Sequence, residues 1–176
     1  MFREYAKKLK NAWNGKQTEN EKYAAVKQFV NAPRQGRLLD IGLGGDAMLQ
    51  KLSDKRLALY GVDISSADRE RSIDEIALMG LTKIDELPYH DEFFDCVTTV
   101  DTTTLWEDKM AAFAEILRVL KAGGQLLCAF DFDSDSGEGT PPRTLRESAR
   151  LAGFENVRVK VLRSEGSYLL IGDKPC

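Results

Sequence analysis

The sequence predicts an α/β fold: a doubly wound, mostly parallel, seven-stranded sheet with helices on both faces and a C-terminal antiparallel hairpin. Three observations predict it. From residue 37 onward, short apolar runs alternate with amphipathic segments, the pattern of a parallel sheet covered on both sides. A glycine-rich turn, Gly42-Leu43-Gly44-Gly45, follows the first of these runs. The last two runs are joined by a link too short for a crossover, so they must pair antiparallel.

Residues 2–31 are polar with scattered large apolar groups, Phe2, Tyr5, Leu9 and Trp13, then Tyr23, Val26, Phe29 and Val30. This spacing predicts two helical pieces broken near Asn14-Gly15, the second ended by Pro33 and Gly36. Residues 1–34 therefore read as a helical cap or lid, and 35–176 as the α/β domain. Arg37 to Ile41 is the first predicted strand, and Asp46 to Leu52 a short helix. Ala58 to Val62 is the second strand, ending at Asp63. Ser66 to Met79 reads as helical, with Ile73, Ile76 and Ala77 on one face, followed by a weak strand over Leu81 to Ile84. Phe94 to Val100 is a strong strand, rich in β-branched residues. Met110, Phe113, Ala114, Leu117 and Leu120 recur at helical spacing, and Lys121-Ala122-Gly123-Gly124 ends that helix. Gln125 to Phe130 is the next strand, Asp131 to Gly139 a polar loop, and Pro142 to Leu151 a helix stopped at Gly153. Val157 to Leu162 and Tyr168 to Ile171 close the sheet around Ser164-Glu165-Gly166. No internal repeat is visible.

The chain has 176 residues, 43% apolar and 30% charged, with 25 basic and 28 acidic side chains. The net charge of -3 argues against a nucleic-acid partner. Cys96, Cys128 and Cys176 are far apart, which fits neither a metal site nor a disulfide framework. Cys96 and Cys128 fall in strand-like runs and read as buried thiols. No run is long enough for a membrane span, and the N-terminal stretch lacks the apolar core of a signal peptide. A cytoplasmic protein with no metal and no membrane partner is expected.

Doubly wound sheets bind ligands beyond the carboxyl ends of their strands. The first strand delivers Asp40 and the glycine turn to that edge. Glycines permit close backbone approach by a ligand, and the free N–H groups of the next helix face it. Asp63, at the end of the second strand, can accept both hydroxyls of a ribose, since Ser65 and Ser66 are available to cap the next helix. Gly42-x-Gly44-x-x-Ala47 also satisfies a relaxed dinucleotide fingerprint, so NAD is one candidate. Asp46 stands against it, because a pyrophosphate beside that carboxylate would be repelled. A cofactor with a positive centre and an amino-acid tail suits these acids better, its amino group being drawn to Asp40.

The later stretches are more specific. Leu87-Pro88-Tyr89, Phe94-Asp95, Glu115-Ile116-Leu117-Arg118-Val119-Leu120-Lys121, Gly123-Gly124 and Leu151-Ala152-Gly153-Phe154 occur in order. Together they resemble class I S-adenosylmethionine-dependent methyltransferases of the small-molecule type, over about Leu38 to Lys174. The resemblance implies a Rossmann-like domain. It implies that Asp40, Gly42, Leu43 and Gly44 hold the methionine part of S-adenosyl-L-methionine, that Asp63 binds the ribose and that Ile64 lies against the adenine. The family's usual third glycine is Asp46 here. The acid that usually touches the adenine amino group falls, counting back from Leu87, on Lys83, with Asp85 close enough to substitute, and Leu87 itself is expected among the cofactor-binding residues. The segment from Asp63 to Leu87 is shorter than usual.

Methyl transfer from a sulfonium needs in-line approach and exclusion of water more than acid–base help. A hydroxyl or carbon acceptor would need a base, and Asp101 and His90 are the candidates. The N-terminal aromatics Tyr5, Trp13 and Tyr23 suit a lid. The loop Asp131 to Pro142, with Asp131, Asp133, Asp135 and Glu138, would form the opposite wall and discourage an anionic acceptor. With no inserted substrate domain, the site would be open or closed by a partner subunit, as in a homodimer. Methyl transfer to a small molecule, a catalytically inactive methyltransferase-like binding protein and an NAD-linked oxidoreductase are the three functions to be weighed.

Overall fold

The computed structural model describes residues 21–42, 47–53, 56–64, 71–73, 76–80 and 83–176. The first predicted helical piece, with Tyr5 and Trp13, lies outside the described residues, as do Leu43, Gly44 and Asp46 of the glycine turn. Helix α1 covers residues 21–29. It is followed by β1 (Arg37–Gly42), α2 (Ala47–Leu52), β2 (Ala58–Asp63), β3 (Arg71–Ile73), β4 (Ile76–Gly80) and β5 (Phe94–Val100). A single 3-10 turn (Thr103–Leu105) leads to α3 (Lys109–Val119), β6 (Leu120–Asp131), α4 (Pro142–Leu151), β7 (Glu155–Val161) and β8 (Ser167–Asp173).

All eight strands join one sheet in the order β3-β4-β2-β1-β5-β6-β8-β7. β4, β2, β1, β5 and β6 run parallel. β3, β8 and β7 pair antiparallel with their neighbours. The count is eight rather than the predicted seven, because the region expected as a helix over 66–79 carries β3 and β4, while Lys83 and Ile84, the described part of the weak strand expected over 81–84, are not in a strand. Short apolar runs such as Ile73 to Met79 fit either period. The outer edge of β2 decides the matter. Its backbone groups need partners, and β4 supplies them in register from Tyr60↔Ala77 to Asp63↔Gly80.

Side chains alternate across the sheet with period two. Leu39, Ile41, Val97, Leu126, Cys128 and Leu170 face α3 and α4, where they join Phe113, Ile116, Leu145 and Ala149. Leu38, Cys96, Leu127, Ala129, Leu169 and Ile171 face the other way, toward Val26 of α1 and Met48, Leu49 and Leu52 of α2. Both faces of the central strands are therefore apolar. Burial raises the pKa of both internal thiols, Cys96 and Cys128, as expected for inert core cysteines.

The helix ends follow their chemistry. Asp108 caps α3 by accepting from the amides of Met110 at 2.8 Å and Ala111 at 3.1 Å. Pro142 opens α4, where a missing N–H does no harm. Gly153, at φ +111°, turns the chain into β7. The predicted stop at Lys121 to Gly124 is absorbed into β6 as an irregular entry, with the register shifting between Phe94 and Cys96 of β5.

Several of the resemblance-bearing residues turn out to stitch the domain together. Glu115 accepts from the Leu87 amide at 2.8 Å and binds Arg118 through both oxygens, at 2.6 and 2.8 Å. Arg118 also donates to the carbonyls of Tyr89 and Leu87 and to the Asp91 carboxylate. Asp95 receives Lys121 on both oxygens at 2.8 Å, and its Oδ2 accepts from the Arg37 amide. Through these hydrogen bonds the charged residues fix the loop before β5 and the entries of β1 and β6.

Candidate active site

The parallel strands end side by side. Gly42 pairs with Asp63, Asp63 with Gly80, and Ile41 with Thr99. The amide of Ile64 donates to the Gly42 carbonyl at 3.0 Å, locking the tips of β1 and β2 together. Asp63 is buried at the end of β2. Asp40, two residues before the end of β1, lies on the face shared with α1 and α2. Its register neighbour on β5 is Thr98, whose hydroxyl donates to Asp40 Oδ1 at 2.6 Å. That hydrogen bond favours the ionised carboxylate, but burial outweighs it and pushes the Asp40 pKa up to about 7. A carboxyl so poised would be ionised more readily by a cation placed above it. Thr99 donates to the Ile41 carbonyl at 2.9 Å and shares a short hydrogen bond with the Thr102 hydroxyl, which ties the end of β5 to β1.

Two hollows open at this edge. The first, about 50 Å³, is lined by Ile64, Lys83, Ile84, Asp85, Leu105 and the acids Glu107 and Asp108. Ile64, Asp85 and Lys83 thus share one wall. Leu87 does not join them. It is buried in the core beneath, with its backbone held by Glu115 and Arg118, so its expected cofactor contact is replaced by a packing role. The second hollow, about 360 Å³, lies past the ends of β5 and β6. Asp101, Thr103, Thr104, Phe130, Asp131 and Asp133 line it, with Glu138 and Gly139 across the opening.

Asp101 follows β5 at φ +58°, a left-handed conformation that aspartate tolerates better than most residues. Its amide donates to the Ala129 carbonyl at 2.9 Å. Its carboxylate is gripped by Lys22, 2.5 Å from Oδ1 and 2.6 Å from Oδ2. The same ammonium donates to Asp131 Oδ2 at 2.6 Å, and Asp131 Oδ1 accepts from the Ser167 hydroxyl at 2.6 Å. Lys22 is 1% exposed. This corrects the expectation of Asp101 as a base, since a proton arriving there would have to displace the hydrogen bonds of a buried ammonium. Asp101 is instead an anchor for α1. Glu21 holds the same turn of the helix by accepting from the amides of Arg163 and Ser164 and from the Ser164 hydroxyl.

His90, the other candidate base, is exposed at the opposite edge. It lies between Tyr89, whose carbonyl binds Arg118, and Glu92, whose amide donates to the Arg118 carbonyl just before β5. The seven residues of β5 span about 23 Å, and they separate His90 from Asp101. His90 is too far from the strand tips to act on a ligand there.

The sequence reading missed Lys22, Thr98, Thr99 and Glu107. Lys22 did leave a signal: with Ala25, Val26 and Phe29 it falls on one helical stripe, and a lysine in an apolar stripe is buried only when paired. Among the described residues, no group of three or more His, Cys, Asp or Glu could hold a metal ion, and no helix is long and apolar enough to cross a membrane.

Comparison with known proteins bears on the family and the fold. Residues 39–128 match the model of the methyltransferase domain family. The uncharacterized methyltransferase YdaC of Bacillus subtilis (strain 168) is 27% identical over 81% of this chain and 85% of its own length. The phosphatidylethanolamine N-methyltransferase of Cereibacter sphaeroides is 32% identical over 72% of this chain, which spans 63% of that relative. Among solved structures, a chain from the complex of the Haloferax volcanii Trm112 methyltransferase activator with a methyltransferase superposes with TM-score 0.76 at 19% identity, covering 94% of this chain and 95% of that one. The chain belongs to the methyltransferase domain family and is a class I S-adenosylmethionine-dependent methyltransferase.

Proposed function

We propose that this protein methylates a small molecule, with S-adenosyl-L-methionine held across the tips of β1 and β2 and the acceptor held past the tips of β5 and β6. One observation carries the proposal. The two hollows share a wall, the 3-10 turn, with Leu105 on the first hollow and Thr103 and Thr104 on the second. The hollow assigned to the adenine and the hollow assigned to the acceptor thus adjoin at one edge of the sheet, which supports a direct displacement between neighbouring ligands, whose reacting atoms must come within about 3–3.5 Å.

The residues present fit the cofactor. Asp63 would take the ribose hydroxyls, Ile64 the adenine face and Asp85 the adenine amino group. The backbone from Gly42 through Leu43 and Gly44 would hold the amino-acid tail, with Asp40 below to receive positive charge. The bound sulfonium supplies an electrophilic methyl group. The chain's own task is to orient the acceptor and exclude water. Lys22 fastens the first turn of α1 to Asp101 and Asp131, at the ends of β5 and β6.

Calorimetry with S-adenosylmethionine, S-adenosylhomocysteine and NAD tests the reading. Saturable binding of the first two, with none of NAD, supports it. Binding of NAD alone, or of none of the three, would refute it.

A further inference from the structure

We infer that Lys83 is a cofactor-binding residue that reads the edge of the adenine ring, donating to the ring nitrogen beside the amino group that Asp85 receives. The inference rests on the cofactor placement proposed above and adds a residue that makes the smaller hollow specific for adenine. Lys83 and Asp85 line that hollow with Ile64, on either side of the buried Ile84. Asp85, Glu107 and Asp108 supply three acids to it. Asp108 is committed to the start of α3, accepting from the amides of Met110 and Ala111. Elsewhere in the domain, lysines close on the acids beside them: Lys22 on Asp101 and Asp131, Lys121 on Asp95, and Lys174 on Glu92. Lys83 does not. Among the described residues, Lys83, Asp85 and Glu107 make no ion pair and no side-chain hydrogen bond. The hollow therefore combines an uncommitted cationic donor, an uncommitted acceptor two residues away and the apolar side chain of Ile64.

That set matches an edge of adenine. The 6-amino group donates, and the ring nitrogens on either side of it, N1 and N7, accept. A carboxylate only accepts and an ammonium only donates. Lys83 therefore cannot take over the amino group from the acid whose place it holds, but it suits the neighbouring ring nitrogen. Together the two side chains read a donor and an acceptor side by side, as a single amide side chain does on adenine in a duplex. A 6-oxopurine reverses this pattern. Its oxygen would face the Asp85 carboxylate and its N1–H would face away from any acceptor on Lys83, and a site left with unpaired polar groups discriminates steeply.

The test is calorimetry with S-adenosylhomocysteine, its 1-deaza and 7-deaza analogues, and S-inosylhomocysteine. In the wild type at least one deaza analogue should bind about tenfold more weakly than S-adenosylhomocysteine, the loss of one hydrogen bond to a charged donor. S-inosylhomocysteine should bind more weakly still. Lys83→Met should weaken S-adenosylhomocysteine by a similar factor and erase its advantage over that analogue, so that both changes together cost no more than either alone. Lys83→Arg should restore most of the preference. Lys83 is exposed, so these substitutions leave the core untouched, and loss of a merely solvated charge would move all four ligands alike. Equal wild-type affinity for S-adenosylhomocysteine and both deaza analogues, equal affinity for S-inosylhomocysteine, or a wild-type pattern in Lys83→Met would overturn the inference. S-adenosylhomocysteine binding to the wild type is recorded first. Its presence without any dependence on Lys83 would sink this inference alone, whereas its absence would sink the cofactor reading and this inference together.

Discussion

Asp40 offers the sharpest test of the site's electrostatics. Burial raises its pKa from 3.8 to about 7 against the opposing pull of the Thr98 hydroxyl. The native carboxyl therefore keeps its proton to a higher pH than the unfolded one. Between about pH 4 and pH 7 the native state binds more protons, and stability falls as pH rises through that window. A gap of about three pH units, at 1.36 kcal/mol for each, corresponds to about 4 kcal/mol once both states are ionised. Asp40→Asn removes this titration, and its side-chain oxygen can still accept from Thr98. Urea unfolding of both proteins from about pH 5 to pH 8.5 separates this contribution from every other titrating group, because the rest cancel in the difference. The advantage of the variant should grow by about 1.4 kcal/mol per pH unit up to about pH 7 and then level off. Stability curves that stay parallel throughout would refute the claim that burial of the Asp40 carboxyl favours its protonated form.

The same carboxyl links stability to ligand. A positive group bound above Asp40 would drive off its proton, so S-adenosylmethionine binding near pH 7 should release protons from the wild type and none from Asp40→Asn, as read by calorimetry in buffers of different ionisation enthalpy. Asp63→Ala should weaken S-adenosylhomocysteine binding by at least about tenfold, or about 1.4 kcal/mol; unchanged affinity would remove the ribose role. Lys22→Met leaves Asp101 and Asp131 without their shared ammonium and should lower stability in urea unfolding at neutral pH by less than the about 3–5 kcal/mol of a fully buried pair, because both carboxylates reach solvent; unchanged stability would refute the anchoring role. Arg118→Met should cost about 2–3 kcal/mol and speed hydrogen exchange at the Leu87 amide, without changing S-adenosylhomocysteine affinity if Leu87 only packs the core.

Much of the site was legible because its residues end neighbouring strands. Gly42, Asp63 and Asp101 each sit where a parallel strand stops, so a correct strand assignment carries them to one edge. Ile64 follows Asp63 directly and shares its place. Asp85 also reached the first hollow, although the chain leading to it was misread. The errors arose where local pattern is ambiguous or where a loop changes edge. The spacing of Ile73, Ile76 and Ala77 suits a helix, yet β4 forms because β2 has a free edge to pair. His90 follows Leu87-Pro88-Tyr89 closely in sequence, but Arg118 has by then drawn the loop back to the amino ends of the strands. Leu87 itself was read as a cofactor contact because sequence adjacency does not reveal which way a side chain points.

By itself, the sequence determined the layered architecture, the glycine turn at the tip of the first strand, the carboxylate closing the second and the acidic loop after the sixth. These are written in periods of two and 3.6 residues and in turn residues, which act over a few positions of chain. Only the tertiary structure decided that Lys22 would meet Asp101, 79 residues away, and that Thr98 would meet Asp40 across 58. Such pairings depend on strand order and register, which are set by the packing of both sheet faces together, and that packing also settles whether a carboxylate is free to react or committed to an ion pair.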